Sequence, residues 1–313
     1  MKKPSLVVII VFSLAFSACA TGKPEKHIPP HLSAGGKQMQ KGFAWYQKGC
    51  YRRSLEYFFR AYELYSASDM LDGVAMSLNN LGTIYRITGN YEEAVSFFDE
   101  ARVLYSDSNN QQGAVKALSN KAAVLIHMGS LNKAEQVIEE ALEGLPEKTN
   151  NGLLIPVLQN KGVLLTKRAE YKAAEEVFAT CFKQTDKLDP MAKASLHFAF
   201  GNLMLESGKP ADAIASFEKA LSIDRELGFY KGMADDLLSM GQAYMKLGKD
   251  EKAAKSFKRG VKIFALIDQA GQVRETMKYL KQAAQKAGID TSVTEAFVER
   301  WRQGELFESP CRN

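Results

Sequence analysis

One pattern of small and bulky residues recurs six times along this chain, and it restricts the fold more than any other feature. A small residue falls at Gly42, Gly82, Ala122, Gly162, Gly201 and Gly241. A second small residue follows at Ser54, Ala94, Ala134, Ala174, Ala213 and Ala253. A bulky residue comes next, at Phe58, Phe98, Ile138, Phe178, Phe217 and Phe257, and then another small position at Ala61, Ala101, Ala141, Cys181, Ala220 and Gly260. The steps between copies are 40, 40, 40, 39 and 40 residues. A fixed period of this size marks an array in which each unit buries its apolar face against its neighbours. Within a unit, two helical stretches are separated by Gly49, Gly89, Gly129, Gly208 or Gly248, because glycine readily takes the left-handed conformation that ends a helix. Ala169 stands there in the fourth copy, so that turn is less clearly marked. The small residues let the two helices of a hairpin approach closely. The Phe or Ile is expected to fill the gap against the next hairpin. The pattern predicts an all-α solenoid of about six helical hairpins.

The clearest copy is Asn80-Leu81-Gly82 followed by Tyr85, Gly89, Tyr91, Ala94, Phe98 and Ala101. It resembles the tetratricopeptide repeat. The usual period of that repeat is about 34 residues. The longer spacing here, and the run Ser77-Leu78-Asn79-Asn80-Leu81-Gly82, is similar to the subclass of kinesin light chain. The resemblance covers about residues 41 to 265. It implies that the first helix of each hairpin lines a concave groove and that the groove takes a protein or peptide partner. Carried over to this chain, the groove residues are Asn79, Asn80, Asn120, Gln159, Asn160, Asn202 and Gln242, with Arg86, His127 and Lys167 adding charge. A side-chain amide offers both a donor and an acceptor to an extended backbone. The same amides could equally satisfy hydrogen bonds between repeats.

The array is expected to span residues 41–270. A capping helix should follow over 271–290, with Val273, Met277, Leu280 and Ala284 on one face. A short helix near Val293–Trp301 and a tail complete 291–313. Trp301 and Phe307 are expected to dock that tail onto the array; the other reading makes it a partner-binding segment.

The amino terminus carries a different message. Lys2 and Lys3 precede the apolar run Leu6–Phe16, which is too short to span a membrane comfortably and ends in small residues. This predicts a secretory signal peptide over 1–18. Ala15-Phe16-Ser17-Ala18-Cys19 resembles the lipobox of bacterial lipoproteins. The resemblance implies lipidation at Cys19, and Ala20 in place of Asp implies the outer membrane, facing the periplasm, with multiple acyl chains giving stable anchoring. Residues 19–40 hold prolines and glycines without apolar periodicity and are expected to form a flexible tether.

Chemistry-bearing motifs are missing. There is no HExxH, CxxC, GxSxG, P-loop or dinucleotide-binding glycine pattern, so neither an enzyme, a cofactor, a metal site nor a small-molecule substrate is expected. His27 and His31 are four apart, but Pro29 and Pro30 forbid the helix that would pair them. His127 and His197 read as structural or surface residues. The net charge of +5, reduced further once Lys2 and Lys3 are removed, gives no basic patch for nucleic acid. Cys181 reads as a buried thiol and Cys50 as a more exposed one; Cys50 or Cys311 could form a disulfide, with connectivity not deducible. The function these features point to is a membrane-anchored interaction scaffold in an envelope complex such as pilus, secretin or cell-wall machinery. The alternative is a structural subunit acting through its convex face or by self-association.

Overall fold

The computed structural model describes residues 30–146, 151–185, 188–305 and 308–311, with side chains described from 33 onward and from 152 in the second stretch. Fourteen helices are described in these stretches, and no strand. Six hairpins follow one another: α1 (Pro30–Gln47) with α2 (Tyr51–Ala67), α3 (Leu71–Thr88) with α4 (Tyr91–Asp107), and α5 (Gln111–His127) with α6 (Leu131–Glu143). Then come α7 (Asn151–Lys167) with α8 (Tyr171–Phe182), α9 (Pro190–Glu206) with α10 (Pro210–Leu227), and α11 (Tyr230–Lys246) with α12 (Asp250–Leu266). The cap α13 (Ala270–Ala287) and the short α14 (Ser292–Arg302) close the chain. The molecule is thus a solenoid of six hairpins with a carboxy-terminal cap, as the period predicts. None of the described helices is long and apolar enough to cross a membrane.

The packing logic lies in the glycine column. A Cβ built on Gly82 would sit 2.9 Å from the ring of Phe98, and one on Gly162 would sit 2.7 Å from Phe178. Gly42, Gly201 and Gly241 face Phe58, Phe217 and Phe257 in the same way. The rings therefore lie on the glycine of their own hairpin, not in the gap to the next one as expected. The reason is steric: a missing Cβ opens a flat bed just where the ring arrives. In the third hairpin the sizes exchange, with Ala122 and Ile138 both fully buried in one cluster. Ser54 adds a tie across the first hairpin by donating to the Gly42 carbonyl at 2.8 Å. Burying each such ring stabilises the fold by about 1.5–3 kcal/mol.

Two kinds of turn alternate. Inside hairpins, Gly49, Gly89, Gly129, Gly208 and Gly248 have positive φ, and Ala169 takes the same conformation at φ 60°. The fourth turn is therefore the same as the others, despite its Cβ. Between hairpins the left-handed residue is Asp69, Asn109, Gly228 or Asp268. Asp and Asn tolerate this region through local hydrogen bonds, which is why three of these four turns do without glycine.

Three expectations need correction. Helix α1 begins at Pro30, so the flexible tether cannot extend to residue 40; Gly35 lies beneath the ring of Tyr65. Pro30 is tolerated there because the first helical residue has no N–H partner to lose. Cys50 is buried, at 3% exposure, not open to solvent, because it is disulfide-bonded to Cys311. Asn79 and Asn80 are buried too, at 2% and 8%, and so build the groove wall from behind. The cap behaves as expected: Val273, Leu280, Ala283 and Ala284 are buried against α12 residues such as Phe257 and Phe264. Cys181 is a buried free thiol, pushed up to about 11 by burial. Cys19, His27 and Phe307 lie outside the described residues, as does the His31 side chain.

Candidate functional site

The site is built by the first helix of each hairpin. Asn80, Asn120 and Asn160 occupy one column, two residues before the small position. The Asn120 amide donates to Asn79 Oδ1 at 2.9 Å, and Asn160 donates to the Ser119 carbonyl at 2.7 Å and its hydroxyl at 3.0 Å. Asn80 donates to the Met76 carbonyl at 2.8 Å and touches Met39 Sδ at 3.5 Å. Gln159 donates to Ser195 Oγ at 2.8 Å, and Lys246 to the Leu205 carbonyl at 2.8 Å. Each bond except that to Met76 joins neighbouring repeats, so the column stitches the solenoid together. Asn120, Gln159, Asn160, Asn202 and Gln242 remain half-buried along it.

A second row lies at the ends of the same helices. Arg86 Nη1 donates to His127 Nε2 at 3.4 Å, which leaves the imidazole proton on Nδ1. The His127 ring stacks on Tyr91, 6.1 Å apart and nearly parallel. Lys167 pairs with Glu206 at 2.6 Å. His127 is open to water yet surrounded: burial, then Arg86, Lys167 and Lys231, lower its pKa to about 4. Charges from α3, α7 and α11 thus act on one side chain of α5. Tyr46 on α1 likewise feels Arg86, Asp224 and Asp235. The inner faces of distant hairpins therefore converge on a shared lumen. His197 stays apart, packed on Phe182 at 5.2 Å.

The lumen is enclosed because the solenoid meets itself. Tyr46 stacks on Phe229, 6.0 Å away and near parallel, joining the first hairpin to the start of the sixth. A Cβ on Gly49 would sit 3.1 Å from Ile267. The Cys50–Cys311 disulfide closes the contact across 261 residues of sequence. Ser309 donates to the Leu266 carbonyl at 2.7 Å and Trp301 Nε1 to Asp268 at 3.2 Å, so the tail is docked, as expected of Trp301. Beside the disulfide is a cleft of about 750 Å³ lined by Arg52, Arg53, Trp301 and Arg302 among others.

Behind the closure lie two acids that the motif search did not reveal. Asp236 is 1% exposed, with neither carboxylate oxygen hydrogen-bonded, and Asp224 is 4% exposed with Oδ1 unpartnered. Burial first, then neighbouring acids, raise Asp236 from 3.8 to about 9 and Asp224 to about 7. Asp235 beside them is paired with Lys231. The signal was present in the repeat: Asp236 stands in a column filled in the second to fifth repeats by Ser77, Ala117, Val157 and Leu196, all buried, while Lys37 of the first repeat is exposed. Among the described residues no group of His, Cys, Asp or Glu is arranged to hold a metal ion.

These features define a class: a helical-hairpin solenoid whose first helices frame a polar lumen. Residues 37–107 match a tetratricopeptide repeat model, and residues 194–227 and 237–265 match a second. The chain carries tetratricopeptide repeats. No curated protein sequence matches it. Among solved structures it is similar to the Rap conjugation gene regulator of plasmid pLS20 in complex with the Phr* peptide, at TM-score 0.59 and 15% identity over 94% of this chain and 83% of that one. It is also similar to a Rap protein complexed with competence and sporulation factor, at TM-score 0.58 and 14% identity, covering 82% and 77%. A signal-transduction ATPase from Pyrococcus horikoshii with a tetratricopeptide repeat sensor gives TM-score 0.59 at 16% identity, over 90% of this chain and 43% of that one. These likenesses concern the fold.

Proposed function

We propose that this protein is a scaffold of the bacterial envelope, held to the outer membrane by a lipid on Cys19, that takes an extended peptide or protein segment into its lumen. The observation that carries the reading is the convergence of half-buried amides and charges from separate hairpins on one enclosed surface. Asn120, Gln159, Asn160, Asn202 and Gln242 offer polar contacts on a wall already made rigid by bonds between repeats. A rigid wall lowers the entropy lost on binding. The complex of the similar pLS20 regulator with a peptide supports this use of the fold. The Cys50–Cys311 pair supports an oxidising compartment, since such bonds persist outside the cytosol. The period near forty residues supports the kinesin-light-chain-like subclass. Assembly of an envelope machine is the role that anchoring plus peptide capture suggests.

The test is photo-crosslinking in living cells, with the probe at Asn120 and a control at the exposed Glu139 of the opposite helix. A discrete adduct from Asn120 alone supports lumen binding. Adducts from Glu139 alone move the function to the convex face. For the anchor, Cys19→Ser should release the protein from the membrane fraction; continued membrane association would remove the lipobox argument.

A further inference from the structure

We propose that Arg86 and His127 form an anion subsite of the lumen, so that the extended partner is acidic and lays a carboxylate side chain against this pair. The inference rests on the lumen reading above and deepens it. Two cations around the lumen lack a carboxylate partner among the described residues: Lys246, whose ammonium donates to the Leu205 carbonyl, and Arg86. Lys167 has Glu206, Lys231 has Asp235, and Lys121 on the neighbouring helix has Asp99. Among the described residues Arg86 has no carboxylate partner; its side chain donates to an uncharged imidazole. A guanidinium presents five N–H donors in a planar fork that matches a carboxylate bidentately, so one bond to His127 leaves most of that capacity unused.

The surroundings of His127 agree. The groups facing it are Arg86 from α3, Tyr91 from α4, Lys167 from α7 and Lys231 from α11. None of the four is itself an acid; the carboxylates nearby, Glu206 and Asp235, are held by Lys167 and Lys231, and burial, then the cations, keep the imidazole neutral. Tyr91 fixes the ring plane by stacking, while Arg86 fixes its tautomer. An arriving carboxylate would satisfy Arg86 and reverse the field at the imidazole. As Arg86 turns from the imidazole to the carboxylate, its bond to Nε2 breaks; His127 then gains a proton on Nε2 and becomes a second donor to the anion. Binding therefore takes up a proton, and the sign follows: affinity for an acidic segment rises as pH falls towards the range where the bound imidazole titrates.

The experiment is selection of random twelve-residue displayed peptides on the full chain, purified in detergent with its disulfide intact. Wild type, Arg86→Gln and His127→Gln are compared. Peptides retained by wild type should be enriched at least threefold in Asp and Glu over the starting library, and Arg86→Gln should erase the enrichment. One retained acidic peptide, titrated by fluorescence anisotropy, should bind wild type at least threefold tighter at pH 5.5 than at pH 8. His127→Gln, which keeps an acceptor for Arg86 but cannot titrate, should bind it equally at both. Retained peptides without acidic bias, or a bias that survives Arg86→Gln, overturn the subsite while leaving the lumen reading intact. Failure of the chain to retain any peptide overturns both.

Discussion

The joint between the second and third hairpins and the joint between the fifth and sixth share one register and are filled with opposite chemistry. In the earlier joint the ring of Tyr105 lies over Gly113, just as Tyr65 lies over Gly73 one repeat before. In the later joint the carboxyl group of Asp224 lies over Gly232. Asp236, on α11, then adds a second buried acid where the second to fifth repeats carry apolar or small residues. The contact inside hairpins does not vary in this way: a ring rests on a glycine in five of the six. The difference teaches that the hairpin is the conserved structural unit, while the joint between hairpins is where this chain accepts cost. The costly joint is the one beside which the solenoid closes on itself.

The largest expected effect tests the common part. Phe98→Ala and Phe217→Ala should each cost about 3–5 kcal/mol in chemical denaturation, the range for deleting a buried aromatic. Near-equal losses would confirm that hairpins in the two regions are built alike, and an unchanged curve for either would break the register.

The next variant exports the costly chemistry. Tyr105→Asp should destabilise by about 3 kcal/mol at pH 8, from lost ring burial and a buried acid without a partner. The loss should shrink at pH 5, where the carboxyl can stay protonated.

A third removes that chemistry where it is native. In the unfolded chain the Asp236 carboxyl ionises near its ordinary 3.8, whereas in the fold it keeps its proton to about 9. Between those values the unfolded state sheds a proton that the fold retains. Stability is then lost as pH rises through this window, at about 1.4 kcal/mol per unit for a fully linked group, and levels off above it. Asp224 adds a similar slope up to about 7. Asp236→Asn, which mimics the protonated acid, should leave the melting temperature unchanged at pH 4 and raise it by at least about 3 °C at pH 9. A parallel fall of variant and wild type with pH would show that the acid is not the source.

Ala169→Gly should have the smallest effect, a gain of up to about 1 kcal/mol by thermal melting, because glycine takes φ 60° without a Cβ penalty.

The period made the hairpins legible because close packing of two helices permits few residue types at the contact. It also located the cap and the short last helix, whose apolar spacing is plain. The start of α1 was not legible: Gly35 and Gly36 read as a tether by composition, and only the ring of Tyr65 shows why a glycine belongs in that helix. The Asn column was legible as a column, but not which way its amides are committed, since inter-repeat bonds depend on how successive hairpins are offset. Closure was beyond reach. The meeting of Tyr46 with Phe229, and of Gly49 with Ile267, comes from small rotations summed over five joints, and no local pattern encodes that sum.

The disulfide across the closure has a topological consequence. It makes the described array, from the first turn to the last residues of the tail, one covalent loop. A strand lying through such a loop cannot leave sideways, however weak its individual contacts. It must slide out lengthwise, so its escape time depends on its length and on the bulk of whatever stands at its ends. A strand capped on both sides by folded domains would be held as an axle is held in a rotaxane, and cutting Cys50 from Cys311 would free it without changing any contact in the lumen.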